Sequence, residues 1–269
     1  MKIRSLILTL ASLIPSALSL CADAAVKLPA RQDLHLFLLA GQSNMAGRGK
    51  VDEEGRKPNP RLFSLDKDGQ WQPALAPLHW DKPAAGVGIG KAFAEMIAAQ
   101  NPGISIGLIP AACGGSPISA WTPGASWAQT KRNPCDDAIA RAKRAMQDGT
   151  LKGILWHQGE SDSTGKDAPE HAKRLEELIL RLRTELGAPA LPFIIGQLGR
   201  FPAKPWDANR EAVNAAHQAV AKKMENVRFV SADSPTSIGD NLHFDTPSLR
   251  TFAKGYADAY LQITGDSKR

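Results

Sequence analysis

One serine in the N-terminal third of the chain has the surroundings of a nucleophile at a sharp turn. Ser43 directly follows the apolar run 35–40 and Gly41, and Gly47 comes four residues later. Glycines at these positions allow a sharp turn at the end of a strand. A serine hydroxyl is a poor nucleophile until a base takes its proton, so a histidine from a distant part of the chain must reach it.

His243 has the sequence context of that base. Asp240 precedes it by three residues in a turn just before the last predicted helix. An aspartate at this spacing can accept a hydrogen bond from the imidazole Nδ1 and leave Nε2 free to take a proton. We expect packing or surface roles for the histidines of four other segments: His35, His79, His171 and His217.

Two further motifs offer hydrogen-bond donors to a developing negative charge. Acyl transfer passes through a tetrahedral oxyanion, which fixed N–H groups stabilise. The Gly114-Gly115 pair lets the backbone approach a ligand closely, and Gln158 adds a side-chain amide. Each motif alone also fits an ordinary turn or a polar surface position.

Two other function classes stay open at this point. His157, Glu160 and Asp162 lie within six residues and suggest a metal-dependent hydrolase, but they lack the helical i, i+4 spacing of familiar zinc pairs. A non-catalytic glycan-binding protein of the same fold is the third class. The presence of Ser43, Asp240 and His243 together disfavours it.

The elements that must position these residues alternate along the chain. Continuous apolar runs, which are typical of parallel strands covered on both faces, occupy residues 35–40, 104–109, 153–156, 193–195 and 227–230. Apolar residues with helical spacing lie between them, from Leu175 to Leu186 before Gly187 and from Val213 to Met224. The pattern predicts an α/β three-layer sandwich with a central parallel sheet.

The chemical motifs follow the first three predicted strands, where ligands bind in such sheets. Ser43 follows the first strand, Gly114-Gly115 the second and Gln158 the third. The segment 48–60 is polar and contains proline and glycine, so we expect a loop of doubtful order at the surface or at the rim of the site.

Taken in order, the motifs resemble those of the SGNH hydrolase superfamily, and most closely carbohydrate esterase family 6 and the sialate O-acetylesterases. The resemblance is carried by residues 41–47 (GQSNMAG), 114–118 (GGSPI) with Trp121, 156–161 (WHQGES) and 240–244 (DNLHF). It implies a flavodoxin-like arrangement of the sheet and spans nearly the whole chain after residue 40.

The resemblance also implies roles for individual residues. Ser43 would be the nucleophile, His243 the general base and then acid, and Asp240 its orienting partner. The amides of Ser43 and of Gly114 or Gly115 would hold the oxyanion together with Gln158, where the wider superfamily uses asparagine. Glu160 would support this machinery by hydrogen bonding.

The implied reaction is removal of O-acetyl groups from sugars, with no cofactor. Sialate O-acetylesterases often carry inserted domains that this compact chain lacks, which favours acetylated xylan over sialic acid as the substrate. Trp121 and Trp127 lie in a loop rich in glycine and proline, and they either stack on a sugar ring or pack this loop onto the sheet.

The first residues resemble a secretory signal. Lys2 and Arg4 precede the apolar stretch 6–20, and Ala22 and Ala24 are the small residues that a signal peptidase reads. We therefore predict a signal peptide over residues 1–24, a single domain over 25–269, and a secreted or periplasmic protein without a membrane span after cleavage. Cys21 leaves lipoprotein processing as an alternative, although the preceding Leu20 is bulky for that signal.

Composition narrows the remaining classes. The 269 residues include 33 Lys and Arg against 27 Asp and Glu, a net charge of +6, and no aromatic interleaving accompanies the basic run near residues 131–152. Nucleic acid is therefore not an expected partner. In an oxidising compartment Cys113 and Cys135 are predicted to form a disulfide, with two buried thiols as the alternative. The sequence does not determine the oligomeric state.

Overall fold

The computed structural model describes residues 26–265. The predicted signal peptide, its alternative at Cys21 and the last four residues lie outside this range. Within it, no helix is both long and apolar enough to cross a membrane.

A central sheet of seven strands organises the described chain. The order across the sheet is β3-β2-β4-β1-β5-β6-β7, and every neighbouring pair is parallel except the β2–β3 pair at one edge. The strands are β1 (Leu34–Gly41), β2 (Leu62–Leu65), β3 (Trp71–Pro73), β4 (Ser105–Pro110), β5 (Thr150–His157), β6 (Phe193–Gly196) and β7 (Val227–Val230).

Helices cover both faces of this sheet. Their bounds are α1 (Ser43–Ala46), α2 (Glu53–Arg56), α3 (Ile89–Gln100), α4 (Pro134–Ala145), α5 (His171–Glu185), α6 (Ala208–Lys223) and α7 (Thr246–Thr264). Because successive side chains of a strand point to opposite faces, Phe37 and Leu39 of β1 pack with α3 and α7, whereas Leu36 and Leu38 pack with α4 and α5. The predicted three-layer α/β sandwich is confirmed.

The segment expected to be a loop of doubtful order has defined structure. Asp52 caps the short helix α2 by accepting a hydrogen bond from the Gly55 amide at 2.9 Å. Both terminal nitrogens of Arg250 in α7 donate hydrogen bonds to the same carboxylate, at 2.7 and 2.8 Å. Thr246 Oγ1, also in α7, donates to the Lys50 carbonyl. Contacts with α7, nearly two hundred residues away in sequence, therefore fix this rim.

The predicted disulfide is wrong in this structure. Cys113 and Cys135 are separate, fully buried thiols. The Cys113 thiol lies 3.6 Å from the Ala111 carbonyl oxygen just after β4, whereas Cys135 packs in the core from the first turn of α4. Burial raises the pKa of both thiols to about 11, so they stay protonated and inert at neutral pH.

Candidate active site

The structure brings Ser43 and His243 into direct contact across 200 residues of sequence. His243 Nε2 lies 2.9 Å from Ser43 Oγ, and His243 Nδ1 lies 2.6 Å from Asp240 Oδ2. A hydroxyl, an imidazole and a carboxylate thus form one continuous hydrogen-bonded chain, which is the arrangement that makes a serine nucleophilic.

A tight turn at the end of β1 presents Ser43. Gly41 has φ +127°, and a Cβ there would lie 2.1 Å from the His157 carbonyl oxygen of the neighbouring strand β5, so only glycine fits. Ser43 is the first residue of α1, and its backbone amide has no acceptor within residues 26–265. The Ser43 N–H is therefore free to donate to a ligand, as amides at the start of a helix are.

His243 is held by its own turn between β7 and α7. The Asp240 Oδ1 atom accepts hydrogen bonds from the amides of Leu242 and His243, both at 2.9 Å, while Oδ2 faces the imidazole. Burial alone would raise the pKa of Asp240, but the hydrogen bonds from the backbone and the imidazole of His243 lower it. The carboxylate therefore stays charged and fixes Nδ1 as the protonated nitrogen.

Asn44 and Glu160 support this turn from the other side. The Asn44 side chain donates a hydrogen bond to the Leu242 carbonyl and accepts one from the Phe244 amide, each at 3.1 Å. It therefore binds the backbone on both sides of His243. Its amide nitrogen also donates to Glu160 Oε1 at 2.6 Å. The sequence did not single out Asn44, although its place directly after Ser43 could have drawn attention to it.

The Gly114-Gly115 loop presents one free amide. The Gly114 N–H donates to Asp81 Oδ2 at 2.8 Å, so it is not available to a substrate. The Gly115 N–H has no acceptor among the described residues, and this residue has φ +78°. Of the two predicted glycines, Gly115 is therefore the one that can donate to an oxyanion.

A buried ion pair beside this loop was missed by the sequence reading. Arg48 Nη2 lies 2.7 Å from Asp81 Oδ2, and both side chains are almost fully buried. The arginine balances the carboxylate that holds the Gly114 amide, so this negative charge next to the site is compensated.

Gln158 does not occupy the predicted place of an oxyanion donor. Its side chain is fully buried, and its amide nitrogen donates to the Ser116 carbonyl at 3.1 Å and to the Asp162 carboxylate. Both N–H bonds of the amide are thereby used within the protein. Gln158 instead stabilises the glycine loop through its hydrogen bond to the Ser116 carbonyl.

Of the residues of the metal alternative, His157 and Glu160 lie close together, with 3.8 Å between Nδ1 and Oε1, but Asp162 does not join them in a group of three. His157 is fully buried, and its Nε2 lies 2.9 Å from the Gln197 carbonyl oxygen. The Asp162 carboxylate accepts hydrogen bonds from the Ile118 amide and from the Gln158 side chain. The Glu160 carboxylate accepts a hydrogen bond from the Asn44 side chain. In the range 26–265 no three His, Cys, Asp or Glu side chains are grouped to hold a metal ion.

The two tryptophans differ in their surroundings. Trp121 is 1% exposed, donates to Ser116 Oγ at 3.0 Å and packs edge-on against Trp156, so the sugar-stacking alternative is wrong for it. Trp127 is half-buried, and its indole nitrogen donates to the Gly114 carbonyl at 3.1 Å. It is thus attached to the loop that carries the free Gly115 amide.

Comparison with known proteins identifies the family of this chain. The model of the family described as carbohydrate esterase, sialic acid-specific acetylesterase matches residues 33–262. The chain belongs to this family. A protein of Arabidopsis thaliana named as a probable carbohydrate esterase is 31% identical over 250 residues, covering 84% of this chain and 90% of that protein.

Solved structures of other proteins share the fold of this chain. The crystal structure of an Arabidopsis thaliana protein has a TM-score of 0.74 and 30% identity, covering 85% of this chain and 98% of that one. NanS has a TM-score of 0.69 at 16% identity, covering 89% of this chain and all of NanS. A carbohydrate acetylesterase from Xanthomonas citri has a TM-score of 0.66 at 21% identity, covering 88% of this chain and 57% of that protein.

Proposed function

We propose that this protein is a serine esterase that removes acetyl groups from sugar hydroxyls through an acetyl-serine intermediate. The observation that carries the proposal is the hydrogen-bonded chain from Ser43 Oγ through His243 to Asp240, with spacings of 2.9 and 2.6 Å. Family membership supports the reaction class, since the carbohydrate esterases hydrolyse carboxylic esters.

The first half of the reaction transfers the acetyl group to Ser43. His243 Nε2 takes the hydroxyl proton while Oγ forms a bond to the ester carbonyl carbon, and the carbonyl electron pair moves onto oxygen. The free amides of Ser43 and Gly115 donate to this oxyanion. The intermediate then collapses, the bond to the sugar oxygen breaks, and the imidazolium returns its proton to that oxygen.

The second half releases acetate by the same steps with water as the nucleophile. His243 takes a proton from the water, the hydroxide oxygen bonds to the acetyl carbon, and the Ser43 ester bond breaks with protonation of Oγ. The Asp240 carboxylate stabilises the imidazolium in both halves without accepting its proton. No step requires a group that the described chain lacks.

We infer acetylated xylan as the first substrate to test and O-acetyl sialic acid as the second. Compactness of the chain favours the polymer, whereas the description of the family favours sialic acid. Export through the predicted signal, residues 1–24, would suit either a polymer or a surface glycan.

Acetate release from the two substrates, measured side by side with the Ser43→Ala variant as control, tests the proposal. We expect one substrate to be preferred in kcat/KM and the variant to be inactive on both. Equal acetate release by Ser43→Ala and by the unaltered protein would overturn the serine mechanism.

A further inference from the structure

We propose that Trp127 is a positioning residue that orients the oxyanion donor through the Gly114 carbonyl. The inference rests on the proposed esterase function, because it assigns a part of that machinery. It gives Trp127, the half-buried tryptophan of the site loop, a role in transition-state stabilisation in place of sugar stacking.

The geometry of one peptide group carries the inference. Trp127 Nε1 donates to the Gly114 carbonyl oxygen at 3.1 Å. That carbonyl and the Gly115 N–H belong to the same peptide, which is trans, so the two groups point in opposite directions. The indole therefore holds the plane of the Gly114–Gly115 peptide in an orientation in which the Gly115 N–H points away from Trp127.

The rest of the loop leaves this N–H as the single donor. The amides on either side of it are used: Gly114 donates to Asp81 at 2.8 Å and Ser116 to the Cys113 carbonyl at 3.1 Å. Further along, the Ile118 amide donates to Asp162, and Pro117 has no N–H. From Gly114 to Ile118, Gly115 alone keeps a free amide within the described chain.

Side chains also hold the next two carbonyls of the loop. Ser161 Oγ donates to the Gly115 carbonyl at 2.9 Å, and Gln158 donates to the Ser116 carbonyl at 3.1 Å. These contacts fix the peptides that follow Gly115. Trp127 is the side chain that donates to the carbonyl of the peptide carrying the donor itself.

Trp127 is itself well placed for this task. Its backbone pairs with Arg132, with N···O distances of 2.7 and 3.4 Å, which fixes the base of the side chain. Its ring is half-buried, and its indole nitrogen is engaged by the Gly114 carbonyl. A stacking role would require the ring face, whereas the positioning role requires only the N–H.

Trp127→Phe separates these roles, because it keeps an aromatic face and removes the N–H. Trp206→Phe is the matched control: Trp206 is also half-buried, and its indole nitrogen donates to the Gly199 carbonyl at 2.7 Å, outside the glycine loop. With an acetyl ester we expect Trp127→Phe to lower kcat by about 10- to 100-fold with KM little changed, since loss of a whole oxyanion donor costs about 100- to 1000-fold. Trp206→Phe should leave both constants unchanged.

A second readout reports on the oxyanion site directly. Ser43 Oγ can bond to the carbonyl carbon of 1,1,1-trifluoroacetone while His243 Nε2 takes the hydroxyl proton and the carbonyl electron pair moves onto oxygen. The hemiketal oxygen then carries the negative charge, so the inhibition constant of this ketone measures oxyanion binding. We expect this constant to rise in Trp127→Phe by the factor by which kcat/KM falls, at an unchanged melting temperature. A variant with wild-type kcat and inhibition constant would overturn the proposal, and so would a loss of activity that appears only in KM.

The Ser43→Ala variant keeps this outcome distinct from failure of the proposed function. If Ser43→Ala is inactive and Trp127→Phe is unimpaired, the positioning role fails while the esterase mechanism stands. If Ser43→Ala remains active, the esterase mechanism itself fails.

Discussion

At the residue scale, the site depends on polar side chains whose hydrogen bonds each have a defined partner. Asp240 uses one oxygen for two backbone amides and the other for the imidazole, so it holds both the turn and the ring. Asn44 likewise uses its whole amide, for Leu242, Phe244 and Glu160. The position of His243 is therefore set by groups that never touch the reacting ester.

Replacing Asn44 tests this dependence. Asn44→Ala removes both contacts beside His243, and we expect kcat to fall by about 100-fold, because a shift of about 1 Å in a catalytic group has effects of that size. Steady-state rates on an acetyl ester, with circular dichroism to verify folding, measure the effect.

Glu160→Gln is the matched control for this experiment. The amide oxygen that this substitution introduces at position 160 can accept the same hydrogen bond from Asn44, so most of the activity should persist. An Asn44→Ala protein that is folded and turns over at the wild-type rate would show that the turn holds His243 without this side chain.

The role of Gln158 shows a limit of reading residues from sequence. Its position after β5 predicts a side chain at the site, and the structure does put it next to the glycine loop. Its amide is nevertheless consumed by Ser116 and by Asp162, which lies four residues later. Which of several nearby acceptors wins depends on the turn geometry, which the residue types alone do not define.

At the element scale, the sequence predicts the sheet where burial dominates the residue pattern. Five strands are continuous apolar runs because both of their faces are covered, and the bounds of β7 agree fully with the prediction. Helices α5 and α6 follow the same logic, since each has one apolar face against the sheet. Gly187, with φ +62°, ends α5 as expected.

Several of the elements that were not predicted, namely β2, β3 and α2, are short and depend on distant contacts. β2 has four residues and β3 has three. The two strands pair with each other, and β2 joins them to the sheet by pairing with β4. Helix α2 is anchored by Arg250, whose partner cannot be identified from spacing in sequence. The two cysteines show the same limit, because their separation along the chain says nothing about the distance between their side chains.

At the scale of the whole molecule, the fold buries several histidines in the neutral state. Burial lowers the pKa of His79 and of His171 to about 4, and burial also lowers the pKa of His157 and His217. Each of these side chains binds a proton more readily in the unfolded chain. Burial raises the pKa of Asp162 to about 6, so this carboxyl binds its proton more readily when folded and has the opposite effect.

These shifts predict how stability depends on pH. Between pH 7 and pH 5 these histidines bind protons in the unfolded chain more readily than in the folded chain. The free energy of unfolding should therefore fall as the pH is lowered. Near pH 5 we expect a net number of protons to be taken up on unfolding, because the buried histidines outnumber Asp162, which already holds a proton in the folded state. Urea unfolding at a series of pH values gives this number from the slope.

A variant assigns part of the slope to one residue. His79→Leu removes one buried imidazole and should reduce the proton uptake by about one. Stability that stays constant from pH 7 to pH 5 in the unaltered protein would contradict the burial of these rings in the neutral state.

The account as a whole depends on the attack of Ser43 on an acetyl ester with His243 as the base. Mixing the protein with an activated acetyl ester, quenching in acid within one turnover and measuring peptide masses tests this directly. We expect an added mass of about 42 Da on the peptide that contains Ser43, with little of it formed by His243→Ala, because the acetyl group is held as an ester on the nucleophile before water removes it. Turnover without an acetyl group on Ser43, or an acetyl group on a different residue that the reaction then releases, would contradict the account.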